Sequence, residues 1–286
     1  MLHRVAAVSI LALAFALAGC SQEPGAASDP ATPEQAAAPV YAAPTEQPVD
    51  PFTYANYRQI RVRHVDLDLD VLFDEKVLDG VAVLDLVYVD SAATVLVLDA
   101  NDLDIKSVEA NANGAWSAAP YTLGPDDPIK GSALEIELPD AAKQVRITYR
   151  TSPEAEGLQW LAPEQTAGKA HPFLFSQFQP LYARTMAPLQ DTPAVRITYS
   201  AKLRTPPELI AVMSAAQDPD GVRDGEYSFD MPQPIPAYLL ALAVGDFGFK
   251  AINDHIGVYA EDYILDASAA EFEDTPKMEQ AINDLY

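Results

Sequence analysis

Between residues 51 and 254 the chain alternates apolar and polar positions with a period of two. Val65, Leu67, Leu69, Val71 and Phe73 interleave with Asp66, Asp68 and Asp70. Successive side chains of a strand point to opposite faces, so this run predicts a strand with one dry face and one wet face. His64 stands at the start of that pattern. Asp74 to Gly80 reads as a turn ending in Asp-Gly, and Val81 to Val89 is apolar on nearly both faces, as a central strand is. Thr94 to Leu98 is short and β-branched. Leu134, Ile136 and Leu138 alternate with Glu135 and Glu137 before Pro139, and Val145, Ile147 and Tyr149 alternate with Arg146, Thr148 and Arg150. Val195 to Leu203, Leu209 to Met213, Tyr227 to Met231 and Tyr238 to Val244 complete the set. Many short strands ended by prolines, with no long helical stretch, predict a mainly β fold: an antiparallel sandwich or saddle-shaped sheet over residues 51–254.

The period changes after about Asp266. Phe272, Met278, Ile282 and Leu285 fall at helical spacing, and Thr275 followed by Pro276 predicts a helix start with Thr275 as N-cap. Residues 255–286 are therefore expected to begin a helical domain whose apolar face is cut short at Leu285 and Tyr286.

The first residues predict export. Arg4 precedes an apolar run from Val5 to Ala18, broken by Ser9, and Leu17-Ala18-Gly19-Cys20 forms a lipobox. The run is short for a membrane span and ends in a cleavage signal, so residues 1–19 are expected to be removed and Cys20 to carry a lipid. Ser21, in place of an aspartate, points to a bacterial outer membrane, with the protein on its periplasmic face. Residues 20–50 are rich in Ala, Pro, Glu, Gln and Ser and predict a semi-extended tether. Cys20 is the only cysteine, which excludes a disulfide framework and a thiolate nucleophile in the mature chain. The net charge of −24 becomes −25 once the single positive charge of Arg4 is lost. Nucleic acid is excluded as a partner, because no basic stripe offsets this spread of carboxylates.

Candidate chemistry narrows further. Asp66, Asp68 and Asp70 have the spacing of calcium ligands, but an EF-hand needs glycine and glutamate where Val71 and Val77 stand. They read as one solvated strand face. Asp246-Phe247-Gly248 spells a kinase triplet without any companion motif. His64, His171 and His255 are the histidines of the mature chain, and no Gly-x-Ser-x-Gly or His-Glu-x-x-His occurs. Neither a serine hydrolase nor a catalytic zinc site is expected within these residues, so no metal ligand is assigned and no cofactor is assigned to the chain.

The stretch from His171 to Tyr199 carries Phe175-Ser-Gln-Phe-Gln179, then Ala183-Arg184, then Pro188-Leu-Gln-Asp-Thr-Pro193. It closely resembles a segment of M1 zinc aminopeptidases, and the leukotriene A4 hydrolase branch fits best. Glu208 to Ala215, Met231 to Gly245 and Leu98 to Val108 resemble further strands of that family in the same order, so the resemblance runs from about Asn56 to Tyr286. It implies a β-saddle N-terminal domain that caps a thermolysin-like catalytic domain. The family's Gly-x-Met-Glu-Asn loop and zinc helix would lie downstream of Tyr286, and Ala267 to Tyr286 resembles that domain's first helix. The resemblance also implies that Gln177 and Gln179 help bind the free amine of a peptide substrate. Amide oxygens accept hydrogen bonds from an ammonium, and alternate strand positions share a side. Without it, both amides read as partners of loop backbone groups. Thr185-Met186 replaces an aromatic common in relatives, and Pro188, Asp191 and Pro193 are expected to set a turn. Zinc is implied for the intact family member, and a chain of this extent is expected to be inactive alone. A stand-alone lipid-anchored binding module and one half of a split aminopeptidase are the other readings.

Overall fold

A computed structural model describes residues 49–285. Cys20 and the signal segment lie outside the described residues, as does all of the expected tether except Val49 and Asp50. Among the described residues sixteen strands run in chain order. They are β1 (Ile60–Leu72), β2 (Val77–Tyr88), β3 (Val95–Ala100), β4 (Asp104–Ala112), β5 (Ala115–Ala118) and β6 (Tyr121–Leu123). Next come β7 (Ser132–Glu137), β8 (Ala142–Arg150), β9 (Leu158–Leu161), β10 (Phe173–Ser176), β11 (Ile197–Arg204) and β12 (Ile210–Met213). Last are β13 (Glu226–Ile235), β14 (Leu242–Gly245), β15 (Gly248–Ala251) and β16 (Gly257–Ala260), followed by helices α1 (Asp262–Glu271) and α2 (Thr275–Leu285). The protein is thus mainly β with helices at the end.

One sheet has the order β13-β11-β1-β2-β8-β4-β5, a second β12-β14-β10-β9, a third β3-β7-β6, and β15 pairs with β16. All pairings are antiparallel except β1 with β11. The alternation along β1 has the consequence expected of it. Val65, Leu67, Leu69 and Val71 are buried, while Asp66 and Asp68 are exposed. A bulge between Val62 and His64 resets the phase, so Ile60 and Val62 are also buried. His64 therefore lies inside β1 and not at its start. β11 pairs with β1 only from His64 onward. Beside the earlier residues the Gln190 side chain takes the place of a strand: its Oε1 accepts from Val62 N (3.0 Å) and its Nε2 donates to Ile60 O (2.8 Å). β2, flanked by β1 and β8, is a central strand of the large sheet.

Several boundaries differ from the sequence reading. The chain turns at 73–76, and Gly80 sits within β2 opposite Leu69. A Cβ there would lie 2.0 Å from the Asp68 carbonyl oxygen, so glycine is needed for close strand approach and not for a turn. Leu98 to Val108 is two strands in different sheets, β3 and β4, joined by a turn at Asp102 with φ of 53°. Asp254 falls in the turn between β15 and β16. α1 starts at Asp262, before the compositional change, and Phe272 ends it. Phe272 therefore does not share a helix with Met278, Ile282 and Leu285, which lie on α2. Pro232 and Pro234 fall in β13, the outermost strand of the large sheet, within a stretch where the pairing to β11 is irregular. Loss of an N–H is tolerated there.

Candidate functional site

β10 is a middle strand, bonded to β14 on one side and β9 on the other. It ends at Ser176, whose Oγ accepts from Leu242 N (2.9 Å). Gln177 and Gln179 follow it, outside the regular strand. Their backbone nonetheless continues the alternation: both are exposed, and Phe178 between them is 2% exposed. Burying a phenylalanine side chain contributes roughly 1.5–3 kcal/mol, which anchors the segment. Neither glutamine amide has a hydrogen-bond partner among the described residues. The loop-backbone role that the residues alone suggested is not what the structure shows.

What fixes the segment lies beneath it. Gln177 N donates to Gly157 O (2.9 Å), extending the β9–β10 pairing by one step. Gly157 N donates to Thr185 Oγ1 (3.2 Å), and Thr185 Oγ1 donates to Tyr182 O (2.7 Å). A Cβ on Gly157 would lie 2.6 Å from Thr185 Oγ1 and 2.8 Å from the Phe178 ring. The chain next folds back, with Tyr182 N donating to Phe178 O (2.8 Å), into a 3-10 turn at Ala183–Thr185.

That turn holds Arg184, which is wholly buried. Its Nε donates to Asp191 Oδ2 (3.1 Å), one terminal nitrogen to Lys130 O (2.8 Å) and the other to Asp191 O (2.9 Å). The guanidinium also lies 3.8 Å from Asp99 Oδ2. Asp99, 0% exposed, accepts from Thr53 Oγ1 (2.5 Å), Tyr54 N (2.7 Å) and Asp191 N (3.0 Å). Two carboxylates thus share one cation in the interior. Burial raises the pKa of both above the ordinary aspartate value. Asp191 is pushed up to about 6, with Arg184 pulling it down and Asp99 adding to the rise. The Asp191 side chain accepts from Arg184 N (3.2 Å) in the 3-10 turn at Ala183–Thr185, and the turn near Pro193 is closed by Val195 N donating to Thr192 O (3.1 Å). The burial of Asp191 against Arg184, and the whole role of Asp99 and Thr53, lay outside what local spacing can show.

The histidines sit apart from this region's amides. His64 Nδ1 is 2.7 Å from Thr198 Oγ1 on the wet face of β1. His171 Nε2 is 4.0 Å from Asp246, and His255 Nε2 is 3.9 Å from Glu279. Among the described residues no group of three or more His, Cys, Asp or Glu side chains could hold a metal ion. The donor set that zinc chemistry requires is not assembled by these residues, and no metal-dependent step is derived for them.

Comparison with known proteins places this geometry. The family model described as the peptidase M1 N-terminal domain matches residues 61–239. A leukotriene A-4 hydrolase of Xenopus laevis is 36% identical over 246 residues, covering 82% of this chain and 40% of that protein. A leucine aminopeptidase 2 of Yarrowia lipolytica is 36% identical over 240 residues, covering 82% and 36%. The solved native yeast leukotriene A4 hydrolase superposes with a TM-score of 0.74 at 32% identity over 83% of this chain and 37% of that one. An M1 zinc metallopeptidase from Deinococcus radiodurans shares the fold, with a TM-score of 0.53 at 22% identity over 71% of this chain and 46% of that one. The chain spans about two fifths of the length of the curated relatives it matches.

Proposed function

The chain belongs to the M1 peptidase N-terminal-domain family, and we propose that it serves a zinc-dependent aminopeptidase, with Gln177 and Gln179 holding the free amine of a peptide substrate. The observation that carries this reading is the pair of exposed amides, free of hydrogen-bond partners among the described residues, on either side of a buried Phe178. An ammonium needs several acceptors to replace its water. Two amide oxygens whose backbone is already fixed supply them at little ordering cost, and a hydrogen bond to a charged group contributes about 1.5–3 kcal/mol. Zinc in such an enzyme activates water for attack on the peptide carbonyl. Among the described residues no group of three or more His, Cys, Asp or Glu side chains is placed to hold it. Peptide hydrolysis by the 286 residues alone is accordingly expected at background level.

A titration of the isotope-labelled chain tests the amide pair. Leucinamide is expected to shift the side-chain NH2 resonances of Gln177 and Gln179 at concentrations of order 1–10 mM, and N-acetyl-leucinamide, which has no free amine, is not. An equal response to both probes, or none to either, would remove the reading. The proposal extends to location. Leu17-Ala18-Gly19-Cys20 supports export and lipid attachment at Cys20, with the saddle facing the periplasm. Incorporation of labelled palmitate in the producing cell, abolished by Cys20→Ala, is the expected result.

A further inference from the structure

The chain leading into β10 makes a tight loop at residues 166–169. Thr166 Oγ1 donates to Pro163 O (2.8 Å) and lies 3.2 Å from His171 O, and Lys169 N donates to it (3.2 Å). Lys169 takes a left-handed conformation, with φ of 56°. The loop thereby presents the consecutive N–H groups of Ala167 and Gly168 on one side. A single carboxylate takes both: Ala167 N donates to Glu261 Oε2 (2.7 Å) and Gly168 N to Glu261 Oε1 (2.9 Å). Adjacent backbone N–H groups form an anion-holding concavity, and charge-assisted bonds of this length are about twice as strong as neutral ones. A Cβ at Gly168 would stand 3.2 Å from Oε1, so glycine leaves the carboxylate its room.

Glu261 is 93 residues further along than Gly168 and immediately precedes α1. Among the described residues a second polar tie of α1 is local: Lys250 Nζ on the adjoining hairpin donates to Asp266 Oδ1 (2.6 Å). The same loop end of β10 is packed toward that hairpin by Phe173 against Phe247, ring centres 5.1 Å apart. The opposite end of β10 delivers Gln177 and Gln179.

We infer that Glu261 is a positioning residue: its carboxylate, seated on the Ala167 and Gly168 N–H groups, sets the helical segment beginning at α1 against the strand that leads into the two glutamines. Its functional meaning rests on the reading of those glutamines as the amine-binding pair. The clamp itself is a property of this chain and is tested without substrate. Cys20 is replaced by serine, and spin labels are placed on Gln159→Cys in β9 and Ala270→Cys in α1, both exposed positions. The parent should give one narrow distance distribution. Glu261→Ala is expected to broaden it at least about twofold with an unchanged circular dichroism spectrum, as local release of one element does. Glu261→Gln, which keeps one acceptor oxygen but loses the charge and turns an NH2 toward the other N–H, is expected to broaden it less than Glu261→Ala. Gly168→Val, which crowds Oε1 without removing it, is expected to broaden the distribution to a smaller extent and serves if Glu261→Ala does not fold. An unchanged distribution in Glu261→Ala, or in Gly168→Val where the former fails to fold, overturns the inference. A failed amine titration with the broadening intact removes only the binding role of the glutamines.

Discussion

Six residues separate Gln177 from Arg184, and the two are held in opposite ways. Arg184 is wholly buried, and it has a carboxylate and two carbonyl oxygens as partners. The amides of Gln177 and Gln179 face solvent with no partner among the described residues. The contrast separates framework from function. Every polar atom spent on the interior fixes the shape of the loop, and the atoms left free at its surface are available to a ligand. Phe178 and Thr185 connect the two regions, one by burial and the other through Gly157.

Removing the cation should break the comparison most severely. Arg184→Met leaves Asp99 and Asp191 buried without their counter-charge, and breaking a buried pair from one side costs about 3–5 kcal/mol. Urea unfolding should show that loss. A change below about 1 kcal/mol would mean the cluster does not hold the loop.

A pH series sharpens the same point. The folded-state pKa of Asp191 is raised to about 6 from 3.8, so the folded chain binds this proton more tightly than the unfolded one. Its contribution to stability is complete below about pH 4 and is lost as pH rises through about 6. Asp79, held low by Lys106 and Arg150 against its own desolvation, acts in the other direction, losing its contribution as pH falls. The difference between Asp191→Asn and the parent reads the first group together with its coupling to Asp99. It should move in the variant's favour between pH 4 and pH 7 by at most about 3 kcal/mol. A flat difference would show that Asp191 does not titrate in that window.

The smallest expected effect is at the surface. Replacing Gln177 and Gln179 together by alanine should change unfolding free energy by less than about 0.5 kcal/mol, because nothing folded depends on their amides. Leucinamide should also shift the backbone N–H resonance of Phe178 in the parent, and the same variant should abolish that shift. A large stability loss would place the glutamines with the framework and not with the ligand.

Much of the fold was legible because period-two alternation reports burial directly. Val65 to Val71, Leu134 to Glu137 and Val145 to Tyr149 form strands where the pattern puts them. The short strands β5, β6, β9, β15 and β16 have three or four residues each, too few to establish a period, although each pairs with a strand next to it in the chain. The bulge in β1 was hidden for a related reason: it changes the phase without changing the residue types. At the site, Gln177 and Gln179 were reached through a family-like motif, whose meaning local chemistry alone would have assigned to the loop backbone. Arg184 with Asp99, and Glu261 with Gly168, join positions 85 and 93 residues apart. No local pattern encodes such a pairing; only the folded chain brings the groups together.

Pro232 and Pro234 have a consequence beyond tolerance. The large sheet ends at β13, and an open sheet edge is a template on which a further strand, from a second copy or a misfolded neighbour, can add by hydrogen bonding. At these two positions there is no donor to offer, and the irregular pairing beside them distorts the template. The stretch of this edge between Met231 and Ile235 is therefore a poor template for growth, while Glu226 to Met231 keep a regular ladder to β11.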